Sequence, residues 1–268
     1  MQKNKFVLYI IMEKITAIIP SFNEEFNIKG AIESCLFADE IIVVDSFSTD
    51  KTIEIVKEFT NVILLEHEYK HSAAQKNWTI PQASHDWIFL LDADERTNEK
   101  LILEIRETIE NSNLKDVAYW IGRDNYFMDQ KLNHIWSGDA VIRLFRKSKC
   151  KYQNKHVHAE IEADGSIGKL TQRLKHDTYS GKGLTAHLKK SERYTTWAAL
   201  DRVSKIKRIT SYHLVIKPMF AFFKRYIIER GILDGKAGLI ISSMGAWNVF
   251  IRNVKIWRMH NGEEFDRS

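Results

Sequence analysis

Short apolar runs alternate with longer amphipathic segments through the first 110 residues of the chain. The apolar runs have the length of β-strands and lie at 15–19, 40–44, 62–65 and 87–91. Between and after them, apolar residues recur three and four positions apart, which predicts helices at 24–37, 49–59, 73–80 and 98–109. Pro20 follows the first run and is expected to end that strand. Strands that alternate with helices predict an α/β fold with a mostly parallel central sheet flanked by helices.

The pattern changes in the second half of the chain. Segments of strand length lie at 117–121 and 140–145, and from about residue 189 the sequence becomes helical, aromatic and basic. We therefore predict two parts, an α/β domain at residues 13–188 and a basic helical C-terminal lobe at residues 189–268.

Two apolar stretches are candidates for a signal peptide or a membrane-spanning helix. The run at 6–12 lies at the lower length limit of a signal-peptide core and lacks a small-residue cleavage site. The uncharged stretch at 237–251 has 15 residues, whereas a spanning helix needs about 20. No transmembrane helix is predicted.

Composition supports a folded domain in a reducing compartment. The chain has 268 residues, of which 44% are hydrophobic, so it can bury a substantial core. Its two cysteines, Cys35 and Cys150, have neither the number of a disulfide framework nor the spacing of metal ligands. This favours a cytoplasmic protein.

Charge divides the chain into two unlike halves. Residues 1–140 carry 14 basic and 24 acidic side chains, a net charge of −10, whereas residues 141–268 carry 26 and 11, a net charge of +15. An acidic half suits a cation or a ligand bound through a cation, and a basic half suits phosphates on a lipid, a glycan or a nucleic acid. Two solvent-exposed faces that bind no partner would give the same distribution of charge.

Polar clusters follow three of the predicted strands. They are Pro20-Ser21-Phe22-Asn23-Glu24-Glu25, Asp45-Ser46-Phe47-Ser48-Thr49-Asp50 and Asp92-Ala93-Asp94-Glu95. Carboxyl ends of parallel strands meet at one sheet edge, so we expect the clusters to converge. One Asp-x-Asp alone is a common turn sequence, but carboxylates gathered at one edge repel unless a hard cation such as Mg²⁺ or Mn²⁺ binds them. Such a cation keeps positions for a diphosphate, and no P-loop or G-x-G-x-x-G offers another phosphate site.

These three clusters resemble, in order and spacing, the motifs of glycosyltransferase family 2, which are inverting enzymes of the GT-A fold. A narrower likeness is to the bacterial lipopolysaccharide-core and lipooligosaccharide β-glucosyltransferases. It depends on Gln75-Lys76-Asn77, Asp86-Trp87, Arg143-Leu144-Phe145-Arg146, Val157-His158, His176 and Gly231-Ile232-Leu233-Asp234-Gly235. The likeness extends over roughly residues 14–250 and would make residues 13–188 the catalytic domain.

The resemblance implies a role for each motif residue in binding the donor. The nucleotide pocket would be lined by Pro20, Ser21 and Glu25, with Asp45 at the base, Asp92 near the ribose and Asp94 on the metal, Mg²⁺ or Mn²⁺. Arg143 suits phosphate because its guanidinium donates two parallel hydrogen bonds. His176 is either an added metal ligand or an ordinary structural histidine.

A general base must take the proton of the acceptor hydroxyl. The related enzymes tend to have His followed directly by Glu, whereas this chain has His156-Val157-His158-Ala159-Glu160. We favour Glu160 as the base, with Asp139 second and His158 third; the two histidines could equally be same-face strand residues.

The resemblance implies transfer of a hexose, with glucose favoured, from a UDP-sugar to a lipid-linked glycan such as the lipopolysaccharide inner core. Basic and aromatic residues of the C-terminal third predict peripheral contact of a cytoplasmic enzyme with the inner membrane leaflet. Alternatively, the same aromatic residues would pack a helical lobe against the catalytic domain. Alternatives are another acceptor (capsule, teichoic acid or protein glycan) or a non-catalytic membrane or nucleic-acid binding module, although no nucleic-acid motif is present.

Overall fold

The computed structural model describes residues 13–111, 115–153, 160–179 and 183–265. The strands are β1 (Ile15–Ser21), β2 (Glu40–Asp45), β3 (Val62–Glu66), β4 (Trp87–Leu90), β5 (Glu95–Arg96), β6 (Asp116–Phe127), β7 (Gln130–Lys131), β8 (Ala140–Arg146), β9 (Cys150–Tyr152), β10 (Ile161–Ala163) and β11 (Ser166–Asp177). The α-helices are α1 (Ile28–Ser34), α2 (Thr52–Lys57), α3 (Ser72–Thr79), α4 (Glu99–Glu110), α5 (Gly183–Leu200), α6 (Lys217–Phe223) and α7 (Gly235–His260). The π-helical turns Tyr212–Ile216 and Lys224–Ile228 flank α6, and a 3₁₀ turn, Gly231–Asp234, precedes α7.

The α/β architecture is confirmed, but the central sheet is mixed. Its order is β3-β2-β1-β4-β8-β6-β11-β5, with β7 paired to β6. The first four strands are parallel, and β8 runs antiparallel to β4, with Trp87 opposite Arg146. Parallel neighbours need long crossover connections, usually helical, and no described helix lies between α4 and α5. In agreement with this, β8 pairs with β4, β7 with β6 and β10 with β9 in antiparallel direction.

The prediction that Pro20 ends the first strand is wrong. β1 continues through Pro20 to Ser21, which lies opposite Asp45 of β2. Pairing with β4 stops at Ile18, opposite Leu90. Because β4 ends there, the missing N–H of Pro20 removes no hydrogen bond from the sheet.

The chain divides into two compact units. The first contains residues 1–121 and 141–173, and the second contains residues 122–140 and 174–268. These bounds differ from the predicted domains, whose boundary between residues 188 and 189 lies inside α5. No described helix is long and apolar enough to cross a membrane.

The core of the first unit is built on buried, mostly apolar residues of the parallel strands. Residues 15–19 of β1, apolar apart from Thr16, and the apolar residues 41–44 of β2 are all buried, as expected when helices cover both faces of a sheet. Helix α1 buries Ile28, Ala31 and Ile32 along one stripe. Cys35 and Cys150 are buried and unpaired, which confirms the expectation that they form no disulfide.

The second unit is organised around the buried carboxylate of Asp234. Ala237 and Ile241 of α7 pack with Phe127, Leu132 and Ile135 in its apolar core. The side chain of Asp234 is 0% exposed and accepts hydrogen bonds from the backbone N–H groups of residues 133–135, at 2.8–3.2 Å. Burial alone would raise the pKa of Asp234, but these donors lower it below its ordinary value.

We expect Asp234→Asn to lower the free energy of unfolding by about 2–3 kcal/mol, because an amide N–H would then face backbone N–H donors. Urea denaturation measures this. The surface pair of Asp124 and Lys131, 2.7 Å apart, provides the control, since Asp124→Asn should cost less than about 1 kcal/mol. The lowered pKa implies that the stabilisation by Asp234 is complete above the ordinary carboxyl pKa and disappears as the pH falls through the lowered value. Equal effects of the two variants would contradict this role.

Candidate functional site

The loops after β1 and β2 are joined through the carboxylate of Asp45. Its Oδ1 accepts from Ser21 Oγ at 2.8 Å and from Ser48 Oγ at 2.6 Å, and its Oδ2 accepts from Ser48 N at 2.6 Å. Asp45 is fully buried. The structure thus shows Asp45 as a brace between two loops, and its contact with a nucleotide base stays a prediction.

A second set of hydrogen bonds joins the outer parts of the same loops. Glu25 N donates to Asp50 Oδ2 at 3.1 Å, and Thr52 N donates to Asp50 Oδ1 at 3.0 Å. Lys51 N donates to Glu25 Oε2 at 3.3 Å. The carboxylate of Asp50 therefore joins the loop after β1 to the first residue of α2.

The third strand end carries a cluster of opposite charges. Lys76 Nζ of α3 lies 3.4 Å from Asp92 Oδ1. Arg143 of β8 donates from Nη2 to Asp92 Oδ2, and also to Glu95 Oε1 at 2.7 Å. Arg143 reaches this point because antiparallel pairing of β8 with β4 sets Leu144 opposite Phe89. Asp92 thus lies between two cations.

Both cations of this cluster are buried, and both keep their charge. Burial opposes the charge of Lys76, but Asp92 and the nearby Tyr152 outweigh it and raise the pKa of Lys76 above its ordinary value. Burial likewise opposes the charge of Arg143, and Asp92 and Glu95 raise its pKa. Two buried cations that stay charged beside carboxylates form a fixed polar surface at the sheet edge.

The role of Asp94 as a metal ligand stays a prediction. Asp94 is half-buried in the loop after β4, and Asp92 lies between Lys76 and Arg143. Among the described residues, no group of three or more His, Cys, Asp or Glu side chains is placed to hold a metal ion. Mg²⁺ and Mn²⁺ do not need one, since one or two carboxylates with phosphate and water oxygens complete their coordination. A single carboxylate such as that of Asp94 is therefore compatible with such an ion.

Three residues of this cluster received no role from the sequence. They are Lys76, Glu95 and Tyr152. Lys76 appears in the sequence only as part of the motif Gln75-Lys76-Asn77, and in the structure it lies in a helix where Ala73, Gln75 and Thr79 are also buried. A lysine among buried positions indicates a paired charge.

In the second unit, Asp139 is held in a fixed orientation. Arg123 donates from Nε and Nη2 to the two carboxylate oxygens of Asp139, both at 2.9 Å, and Asn125 Nδ2 donates at 3.1 Å. Burial opposes the charge of Asp139, but Arg123 and Asn125 lower its pKa. His176 Nδ1 lies 2.6 Å from Asn125 Oδ1, so His176 helps to position Asn125, and its role as a metal ligand stays a prediction.

An open cleft of about 730 Å³ lies beside Asp139. Residues 133–134, 136–139 and 228–230 line it, and we call it the second-unit cleft. Trp136 and Arg230 have positive φ angles of 59° and 58° in its walls.

The structure gives less information on the other two candidate bases, Glu160 and His158. Glu160 is exposed directly before β10, where its carbonyl accepts from Gln153 N at 3.0 Å. His156 and His158 lie outside the described residues. Both assignments stay predictions.

The chain is similar to known proteins in sequence and in fold. The sequence profile described as "Glycosyl transferase family 2" matches residues 16–163. The chain is similar to the lipopolysaccharide core biosynthesis glycosyltransferase LpsC of Rhizobium meliloti, with 28% identity over 92% of this chain and 93% of LpsC. It is also similar to an uncharacterized glycosyltransferase of Rickettsia felis, with 29% identity over 91% of this chain and 90% of the relative. Among solved structures, S. aureus TarS 1–349 in complex with UDP has a TM-score of 0.49 at 13% identity, covering 94% of this chain and 93% of that one.

Proposed function

Because the chain belongs to glycosyl transferase family 2, we propose that it transfers a hexose, glucose in the first instance, from a UDP-sugar to a lipid-linked glycan. The observation that carries the proposal is the convergence of three polar strand ends at one edge of the sheet, with their side chains already braced. The similarity to LpsC, named for lipopolysaccharide core biosynthesis, supports the lipopolysaccharide inner core as the acceptor.

The braced loops would bind the nucleoside. Pro20, Ser21 and Glu25 lie on the loop after β1, and Asp45 ties this loop to the next one. Because these contacts exist before a ligand arrives, little ordering would be needed on binding. We assign the nucleoside to this surface.

The buried charge cluster would bind the ribose and diphosphate. Asp92 is only partly enclosed, with its side chain 36% exposed, so a ribose hydroxyl can reach it. Lys76 and Arg143 place fixed positive charge behind it, which favours the negative diphosphate. Asp94 would hold Mg²⁺ or Mn²⁺, and the bound cation would stabilise the charge of the leaving diphosphate.

The general base must be a carboxylate held close to the acceptor hydroxyl. We place Asp139 ahead of Glu160, because Arg123 and Asn125 orient the carboxylate of Asp139 in the wall of a cleft. Glu160 is exposed, and no side chain of the described residues orients it. Proton removal by such a base, with attack opposite the leaving group, inverts the anomeric centre.

The experiment that tests this function measures UDP release. Purified protein is incubated with each of several UDP-sugars, with Mn²⁺ or with EDTA, and with or without a heptose-containing lipooligosaccharide. We expect release with UDP-glucose that requires both the metal and the acceptor. Release that requires a capsule, teichoic acid or protein acceptor instead would keep the reaction and change the acceptor. No UDP release from any donor would contradict the proposal.

We propose that the second unit docks on an anionic membrane surface. The helical run 212–228 exposes apolar side chains spaced mostly three and four apart, namely Tyr212, Val215, Ile216, Met219, Phe220, Phe223, Ile227 and Ile228. Residues 202–228 contain seven Lys and Arg and no Asp or Glu. An exposed apolar stripe within a purely basic segment suits the interface of an anionic leaflet.

We expect the protein to co-sediment with phosphatidylglycerol-containing vesicles at low salt and to be released by raised ionic strength. The double variant Lys217→Glu, Lys224→Glu should bind at least about tenfold more weakly, since each lysine near the surface contributes on the order of 1 kcal/mol. Lys57→Glu, at an exposed position of α2 in the first unit, is the control. Equal partitioning onto neutral phosphatidylcholine vesicles would argue against this docking surface.

A further inference from the structure

We propose that the second-unit cleft is the acceptor site, and that it binds an oligosaccharide carrying an anionic group such as phosphate. This inference rests on the proposed glycosyl transfer and names where the acceptor binds. The cleft volume of about 730 Å³ lies within the range of known ligand sites.

The backbone of the cleft is strained at two positions. Trp136 and Arg230 have left-handed φ angles, and neither is a glycine. Bulky residues adopt this conformation only where the surrounding structure compels them, and such positions concentrate at binding sites. Here Asp234 provides the constraint, because its carboxylate fixes the backbone of residues 133–135 next to Trp136. The fold therefore maintains this wall at a cost in backbone strain.

The side chains of the cleft match the chemistry of a charged sugar. Trp136 presents an aromatic ring against which the apolar C–H face of a sugar ring can pack, and the guanidinium of Arg225 lies 5.7 Å from that ring. Asp139 offers fixed carboxylate oxygens to sugar hydroxyls. Arg230 is exposed and has no hydrogen-bond or ion-pair partner for its side chain among the described residues, so its guanidinium can bind an anionic group.

Gly138 lines the cleft at a position where the backbone does not require a glycine. A Cβ atom added there would meet no atom within 4 Å, and the φ angle of Gly138 is not in the left-handed region. A larger side chain would therefore be tolerated by the protein and would project into open space. This makes Gly138 the best position for a blocking substitution.

The position of the cleft in its own unit suits a glycan attached to a lipid. Ile228, which lines the cleft, is the last residue of the helical run 212–228 that carries the exposed apolar stripe, and the lining residues 229–230 follow it directly. A lipid-linked acceptor would thus present its glycan next to the surface proposed to meet the membrane.

Binding of a released core oligosaccharide tests the proposal without any donor. The probe is the phosphorylated oligosaccharide freed by mild acid from a heptose-containing lipooligosaccharide, followed by saturation-transfer NMR and calorimetry. We expect saturable binding to the wild type and binding weaker by about tenfold or more in Gly138→Leu and Trp136→Ala. Arg230→Ala should weaken binding of the phosphorylated probe and leave binding of the phosphatase-treated probe nearly unchanged. Thr185→Leu, exposed on α5, is the size-matched control for Gly138→Leu.

The outcomes separate this proposal from the proposed function. Absence of binding to the wild type, or native affinity in Gly138→Leu and Trp136→Ala, would overturn the acceptor site even if the enzyme turns over UDP-sugars. Binding lost in these variants, with Mn²⁺-dependent UDP affinity unchanged, supports it. If the wild type binds the probe in this pattern but releases no UDP from any donor, the acceptor site stands and the transferase reaction does not.

Discussion

Asp94→Asn is expected to lower turnover by about 10²-fold or more while the protein stays folded. The reason is that we propose Asp94 as the carboxylate that binds the divalent cation, while Asp92 lies between Lys76 and Arg143. Asparagine keeps the size of the side chain but provides only a neutral amide oxygen as a ligand.

Calorimetry of UDP binding distinguishes the metal role from a general loss of function. With Mn²⁺ present, wild-type protein should bind UDP more tightly than with EDTA, and Asp94→Asn should lose this difference. Asp45→Ala should weaken UDP binding equally with and without metal, because it releases the loops that Ser21 and Ser48 join. Asp124→Asn, at a surface ion pair, is the control with native behaviour. An unchanged Mn²⁺-dependent affinity in folded Asp94→Asn protein would remove Asp94 from the metal site.

Asp139→Asn is expected to lower turnover by about 10²- to 10⁴-fold and to leave UDP-sugar affinity nearly intact, because the base acts in the transition state. The amide cannot accept a proton at neutral pH. Arg123 and Asn125 hold the native carboxylate in place, which favours one reactive geometry.

Glu160→Gln is the decisive comparison for Asp139→Asn. Sequence motifs favour Glu160 as the base, and the geometry leads us to propose Asp139. Under either assignment, the variant at the base should lose turnover and the other variant should stay active. Thermal unfolding of both variants shows whether Asp139→Asn, which loses the ion pair with Arg123, is still folded. Near-native turnover in Asp139→Asn with a large loss in Glu160→Gln would make Glu160 the base. Activity in both would direct attention to His158.

Much of the first unit follows from local patterns. Apolar runs predict β1 to β4 within about two residues at each end, because buried parallel strands need nearly every residue to be apolar. Their common direction also places the three polar clusters at one edge, as the sheet order β2-β1-β4 confirms. Helices α1 and α2 are shorter than predicted, since the flanking turns share the same apolar spacing, whereas α3 and α4 have the predicted length and are displaced by one residue.

The site is predicted only where residues are close in the chain or follow a strand. Asp92, Asp94 and Ser21 satisfy this condition. The pairing of Arg143 with Asp92 and Glu95 depends on the antiparallel register of β8, which no local pattern specifies. The same holds for Lys76, which reaches Asp92 from another helix.

The sequence by itself determined the strand-and-helix order of the first unit, the absence of a disulfide and the family, because each depends on residues that are neighbours in the chain or on motif spacing. Only the tertiary structure decided that the sheet is mixed, that Asp234 orders residues 133–135 from a distance of 100 positions, and that Asp139 is bound by Arg123 in the wall of a cleft. The physical reason is that strand direction and the partner of a buried charge depend on contacts between distant segments. Hydrophobic periodicity reports which face of an element is buried, and it carries no information on what lies against that face.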